Sequence, residues 1–497
     1  MEEKAVALWE KIVAWMEKHY KIIVFLALLA YFIQNFLDGL ISGGRWDLYQ
    51  HIAIADRFLN GQGFYYSATE ASTPYFPGVA FLAVVIGKLF NPWRDYIMLF
   101  IASLIGTIFY YMLVWLGTKI SGNRWVSLIV TTALIFNGFS TYKMYMHEFK
   151  ADSAVLLFGG VIVWLIERCE TDKGRINIKY LLLMFVTAFA MDVTKQQALY
   201  IDFALGIYLV FTKKFNVAEK VKILASLVLA GIVDLIVIFS IPGLEITAIK
   251  NLKAMPYHDL SRIIADTNVT ILRNMVCVVV LVAMLVIWIL KKVKLSSLAN
   301  KWLLVSLLFF AGQTVGEWKE GGNYGNYEVG LVCFLPFAVL SVHYFFTNYI
   351  LKEKQRDVAM LCSLVLAVVM LYMACSIPCK RASEVADKIN SDTAVSEYLS
   401  KAADGKTVMY HSNQYMQIAK STALPGLDLM TIPSYLDEYD DVVKDNIKNQ
   451  TNDFIYTKKS RFDSDTLKLI EENYILVEDS DMPESLHEQL WIAKRLK

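Results

Sequence analysis

The sequence predicts a polytopic α-helical membrane protein of about 11 spans with a small α/β domain at its C-terminal end, and three observations carry that expectation. Of its 497 residues 56% are hydrophobic and only 19% charged, where soluble globular chains hold about 25% charged residues. Apolar runs of span-like length recur through the first 375 positions. Past Pro378 the composition turns polar and acidic, and residues 376–497 hold 15 Lys/Arg against 21 Asp/Glu. The total charge is nearly balanced, at +1, so no global field draws nucleic acid to the chain.

Residues 1–20 place Val6, Trp9, Val13, Met16 and Tyr20 on one helical stripe with Glu and Lys opposite, the pattern of an interfacial helix. A span needs about 20 mainly apolar residues, fewer where the bilayer thins. Runs of this kind occupy 22–41, 95–118, 125–140, 153–166, 180–193, 198–212, 221–241, 270–290, 302–315, 327–346 and 357–374. No small-residue cleavage site follows the first, so it is expected to be a retained anchor. The transmembrane domain is therefore 21–375, with a first outer loop at 42–94. Within that loop Val79–Phe90 is too short to cross.

Laying Val79–Phe90 in the interface puts seventeen Lys/Arg in the later loops on the N-terminal side and eight in those opposite. By the positive-inside rule the N-terminus is then cytoplasmic and residues 376–497 are extracytoplasmic. In that last domain helix-like stretches (Ala382–Lys401, Ser434–Asn446, Asp463–Glu472) alternate with strand-like ones (Thr407–His411, Phe454–Thr457, Tyr474–Val477). It carries no Gly-rich phosphate loop. The six cysteines show no CxxC spacing; Cys375 and Cys379 flank the end of the last apolar run, where free thiols and a bridge both fit.

With this topology the unusual polar residues gather on the outer side. Asp47 follows the first span closely, with Tyr49 two positions on, where a carboxylate could act as a base at the membrane surface. An N-cap on a helix Leu48–Leu59 accounts for Asp47 equally well. The loop 141–152 packs His147, Glu148, Lys150 and Asp152, a donor set for a divalent cation that matches no specific metal spacing. Asp152 also suits the N-terminus of the next helix. Asp192, Lys195, Gln196 and Gln197 fall between two short apolar runs. Ionisable groups at membrane depth usually face a polar pathway, so Lys195 is read as a phosphate partner, with snorkelling to the surface as the alternative. The segment 316–328 supplies Lys319, Asn323, Tyr324 and Tyr327 among glycines, a set suited to hydroxyl-rich ligands. The 242–269 loop, with Lys250, Lys253, His258, Asp259 and Arg262, reads as a lid over a site.

These motifs, in this order, resemble the GT-C superfamily of membrane glycosyltransferases, which take sugars from polyprenyl-phosphate donors, and within it the bacterial mannosyltransferase and aminoarabinose-transferase-like families. The likeness covers residues 20–350. Asp47 and Tyr49 followed by LNGQGFYYS and TPYFPG, which contains Tyr75, look like the family's first outer loop; Lys150-Ala-Asp152 is similar to its Arg-x-Asp, with Lys in place of Arg. Thr194-Lys195-Gln196-Gln197 looks like its Lys-Gln motif, and Lys319 to Tyr327 like its late Asn-Tyr segment.

The resemblance implies Asp47 as the catalytic carboxylate. Donor and acceptor contacts would come from Tyr49, Tyr75, His147, Glu148, Lys150, Asp152, Lys195, Gln196, Lys319, Asn323 and Tyr327. It implies a polyprenyl-phosphate sugar as donor and an envelope lipid, glycan or protein hydroxyl as acceptor. Some members use a divalent cation and many do not, so no cofactor is fixed; Asp47, His147, Glu148 and Asp152 are the candidate ligands. A polyisoprenoid flippase and a lipid-linked polymer ligase are the competing functions, although no inverted repeat marks a transporter. A periplasm-dependent reporter fused after Lys497 is expected to be active; a cytoplasmic signal would mean that Val79–Phe90 crosses or that another span is miscounted.

Overall fold

The computed structural model describes residues 11–12, 14–42, 46–61, 63, 76–91, 93–137, 151–171, 176–245, 249, 253, 255–291, 294–319, 325–350, 383–411, 415–429, 437–458, 462–479, 481–483 and 489–496. Residues 11–12 and 14–18 are helical, and after them in chain order come α1 (Tyr20–Ser42), α2 (Trp46–Leu59), α3 (Gly78–Phe90), α4 (Arg94–Ser121) and α5 (Arg124–Asn137). They continue with α6 (Asp152–Thr171), α7 (Ile178–Asp192), α8 (Ala198–Phe211), α9 (Val217–Ser240) and α10 (Leu260–Arg273). Then come α11 (Met275–Lys291), α12 (Ser297–Trp318), α13 (Gly325–Val332) and α14 (Leu335–Phe345). The C-terminal part holds a helix α15 over 383–402, strand β1 (Thr407–His411), α16 (Tyr415–Ala419), β2 (Leu424–Leu429) and α17 (Asp437–Lys448). It ends with β3 (Phe454–Thr457), α18 (Ser464–Asn473), β4 (Tyr474–Leu476) and β5 (Gln489–Ala493).

The chain divides into two compact units. The first comprises Met1–Asp38, Leu99–Leu235 and Pro256–Cys379; the second comprises Gly39–Met98, Ile236–Met255 and Lys380–Lys497.

The first unit is a helical bundle in which α6 packs on α7, α8 on α12, α12 on α13, and α14 on both α11 and α5. Trp302, Phe309, Phe337, Tyr31 and Tyr110 fill its core. On its outside α7 exposes Leu182, Leu183 and Val186, and α9 exposes Val228, Leu229 and Ile232. An apolar exterior on hydrogen-bonded helices is what a bilayer covers. Among the described residues four helices are long and apolar enough to cross alone: Tyr20–Ile41, Arg94–Ser121, Val217–Ser240 and Ser297–Trp318. Each expected span through 327–346 holds a helix; 357–374, Cys375 and Cys379 lie outside the described residues.

Two expected spans differ in form. In place of one run over 270–290, α10 and α11 meet at an 86° bend. Asn274 is the C-cap of α10, with φ −109° and ψ 21° outside the helical region, and its side-chain Nδ2 adds a second donor to the Thr270 carbonyl at 3.0 Å. The expected 242–269 lid loop therefore contains most of a helix, which Asp259 caps by accepting from the Arg262 N–H at 2.7 Å. The run 327–346 is likewise two helices, bent by 58° before Pro336. The Phe337 N–H turns to the Phe334 carbonyl, which releases the Cys333 carbonyl. Trp302 Nε1 at 2.8 Å and Ser306 Oγ at 3.1 Å donate to it instead, as a buried carbonyl requires. Gly312 of α12 lets Tyr200 of α8 close in, since a Cβ there would lie 2.3 Å from the ring.

At one end of this bundle Lys301, fully buried, bridges Glu167 and Glu170 of α6 at 2.7 Å each and donates to Ser297 Oγ at 3.0 Å. Tyr208 of α8 donates to the same Glu170 at 2.6 Å. Lys301, one of the seventeen Lys/Arg counted toward the loops on the N-terminal side, is therefore a buried tie between three helix ends.

In the second unit β2, β1 and β3 are parallel while β3, β5 and β4 are antiparallel, in the order β2-β1-β3-β5-β4. Val408 pairs with Phe454, and Phe454 with Ile492. Met409, Ile455, Ile447, Ile470, Tyr474 and Trp491 form the core. β1 and β3 coincide with their expected ranges, and α15, α17 and α18 fall within a few residues of theirs. Strands β2 and β5 were not foreseen. Gly426 in β2 admits Asn452, whose Oδ1 would lie 1.9 Å from a Cβ there and accepts from the Leu427 N–H at 3.2 Å.

Substituting Lys301→Met should cost about 3 kcal/mol or more, because it strands two carboxylates. Pairing it with Glu170→Gln should recover part of that loss, and thermal unfolding in detergent measures both.

Candidate functional site

In the first unit the structure joins two of the expected site residues. Asp152 opens α6, and Lys195 stands in the 193–197 turn between α7 and α8. Lys195 Nζ meets Asp152 Oδ2 at 2.7 Å across 43 positions of sequence. Gln313, near the C-terminal end of α12, donates through Nε2 to Asp152 Oδ1 at 2.8 Å. Asp152 is 2% exposed, Lys195 8% and Gln313 1%, so the group is a buried polar cluster.

The location suits the charges. The free N–H groups of a helix start favour a carboxylate, which in turn holds an ammonium that could not lie bare in an apolar bundle. Lys195 is therefore not a snorkelling side chain. Its charge is also met by Asp152, which sequence spacing did not show. One of its three donors is spent on that carboxylate. Gln196 follows in the turn, half-buried.

Sequence reasoning missed Gln313, whereas the buried Glu317, one turn further along α12, belongs to the 316–328 segment that the sequence singles out. Both were legible as polar residues within an apolar span, the pattern that marks an intramembrane polar site.

The late segment is arranged differently. Lys319 forms a bridge with Tyr257, and its Nζ lies 5.5 Å from that ring's centroid, while the His258 N–H donates to the Trp318 carbonyl at 2.8 Å. Tyr327 is buried, and its hydroxyl accepts from Trp318 Nε1 at 2.9 Å and from Thr267 Oγ1 at 3.3 Å. Here Tyr327 ties α10, α12 and α13 together. Beside it Glu328 accepts from Asn274 Nδ2 at 3.1 Å. Arg262 is exposed and pairs along its helix with Asp266 at 3.7 Å.

In the second unit Asp47 lies in the first turn of α2, which begins at Trp46 rather than at Leu48. Position 47 is thus inside the helix and not at its N-cap. Tyr49 lies one turn in, where burial, then Asp392 and Asp95, push its phenol well above the ordinary range. The Asp47 side chain, Tyr75, His147, Glu148, Lys150 and Asn323 lie outside the described residues. Among the described residues no three His, Cys, Asp or Glu side chains gather as a metal site.

No family model matches the sequence, and no curated protein matches it. Solved structures do. ArnT from Cupriavidus metallidurans, bound to undecaprenyl phosphate, superposes over 95% of this chain and 97% of its own, with a TM-score of 0.58 at 10% identity. The chain has the fold of ArnT. The oligosaccharyltransferase of Archaeoglobus fulgidus in its apo form is similar over 92% of this chain and 73% of its own, with a TM-score of 0.51 and 10% identity. Its complex with Zn and sulfate is similar over 91% of this chain, with a TM-score of 0.50. The helical membrane architecture with a small C-terminal sheet expected from the sequence is the architecture found.

If the buried cluster is one unit, the stability losses of Asp152→Asn and Lys195→Met should be strongly non-additive. A double-mutant cycle by thermal unfolding is expected to give a coupling of about 1–3 kcal/mol; additive losses would show that the two side chains do not sense each other.

Proposed function

We propose that this protein is a membrane glycosyltransferase that moves a sugar from a polyprenyl-phosphate donor to a hydroxyl of an extracytoplasmic lipid, glycan or protein. The observation that carries the reading is the near end-to-end likeness to ArnT, a protein seen with undecaprenyl phosphate bound. The buried cluster of Asp152, Lys195 and Gln313 supports it, because ionisable groups within an apolar bundle usually mark a substrate or ion pathway.

In the proposed mechanism Asp47 takes the proton from the acceptor hydroxyl as that oxygen attacks the anomeric carbon. The bond from that carbon to the phosphate oxygen breaks, polyprenyl phosphate leaves, and the anomeric configuration inverts. Lys195, oriented by Asp152 and Gln313, faces the charge that builds on the leaving phosphate, where a preorganised cation lowers the barrier. Lys319 is the second candidate for that task. The reaction takes place on the extracytoplasmic face, with the N-terminus in the cytoplasm. A divalent cation at Asp47, His147, Glu148 or Asp152 would assist the same charge, and a zinc complex is known for the archaeal oligosaccharyltransferase.

Purified protein given a polyprenyl-phosphate sugar should transfer it to an acceptor, and the same assay with EDTA decides the cation. Asp47→Asn should keep the fold and lower kcat by about 10²–10⁴. Lys195→Met should lower kcat/KM for the donor by about two decades or more. Near-normal turnover by Asp47→Asn would overturn the base role.

A further inference from the structure

Within the second unit, one face of α2 is gripped by the C-terminal α/β domain. Tyr49, Ala53, Asp56 and Asn60 recur at helical spacing along that face. Asp56 is held from two directions. Arg94, at the start of α4, donates to both carboxylate oxygens, through Nη1 to Oδ1 and through Nη2 to Oδ2 at 3.2 Å. Tyr415, the first residue of α16, donates its hydroxyl to the same Oδ2.

The tyrosine is 2% exposed, and its ring lies 5.4 Å from that of Tyr410 in β1, so the hydroxyl is presented by the core of the domain. The space left between Asp56, Asn60, Tyr410 and Tyr415 is about 10 Å³. That holds one water at most and no sugar, so the contact is a closed joint and not a ligand cleft. Tyr49, two turns before Asp56 on the same face, has its phenol pushed up by burial and then by the Asp392 carboxylate of α15.

A helix is stiff, so a grip at one end sets the placement of the other. Position 47 stands nine residues before Asp56, about 13.5 Å along the axis. We infer that Tyr415 is a positioning residue: by binding Asp56 it lets the C-terminal domain fix α2, and with α2 the position of Asp47. The inference rests on the reading of Asp47 as base. The domain is then part of the catalytic apparatus without touching the reacting atoms. Misplacing a catalytic group by about 1 Å can cost about a hundredfold in rate.

Tyr415→Phe removes the hydroxyl and leaves the ring. In the full-length protein it should lower kcat tenfold or more while KM for the polyprenyl-phosphate sugar stays within twofold. Amide exchange should rise severalfold across 48–60 and stay unchanged in β1 and β3. Asp56→Asn, which approaches the joint from α2, should give the same pattern, and the double variant should be no worse than Asp56→Asn alone. Faster exchange over 48–60 with kcat unchanged would show a merely structural joint and overturn the inference, and so would unchanged exchange. Full activity of Asp47→Asn overturns the base reading instead, so the two failures are told apart by different variants.

Discussion

A charge buried among helices must be met where it lies, and much of this structure follows from that constraint. Lys195 is met by Asp152, Lys301 by Glu167 and Glu170, and Asp56 by Arg94. In each case the partner comes from another element, so the pairing dictates which elements touch. Replacing such a pair by apolar residues is often neutral, whereas removing one member is costly. The pairs therefore act less as glue than as a rule against wrong assemblies. Lys301 shows this most plainly, since any arrangement that parted α12 from α6 would leave its ammonium without Glu167 and Glu170.

The same constraint concentrates chemistry. A carboxylate at the start of α6 costs little there because the helix end welcomes it. Once present it can hold Lys195 in an otherwise apolar bundle and can order Gln313 of α12 as well. In the proposed reaction this cation would face the departing phosphate, and the cluster that holds it comes from three separate stretches of chain. In the second unit α2 carries Asp47, the proposed base, and Tyr415 of the folded domain bonds Asp56 on the same helix.

Much of the architecture could be read from local pattern. Apolar runs located the helices, and the central strands β1 and β3 were visible as short runs of Val, Ile, Phe and Tyr. Strand β2 was hidden because Leu424-Pro425-Gly426 has the chemistry of a turn, and only pairing with β1 overrides it. The break at Asn274 was hidden in a run whose composition alone suits a span. For the site, Lys195 and Asp152 were each conspicuous as charges near membrane depth, but their contact depends on a fold that brings positions 43 apart together. The link from Tyr415 to Asp56 spans 359 positions and leaves no local trace.

The order of the mixed sheet puts β2 at one margin, with Pro425 in its second position. Proline has no N–H to offer, so this margin cannot present an unbroken row of donors to a strand from outside. Proteins confined to a membrane meet one another with their exposed domains already aligned, a geometry that favours stacking sheet on sheet. A margin blunted in this way discourages strand-to-strand pairing between the C-terminal domains of neighbouring copies.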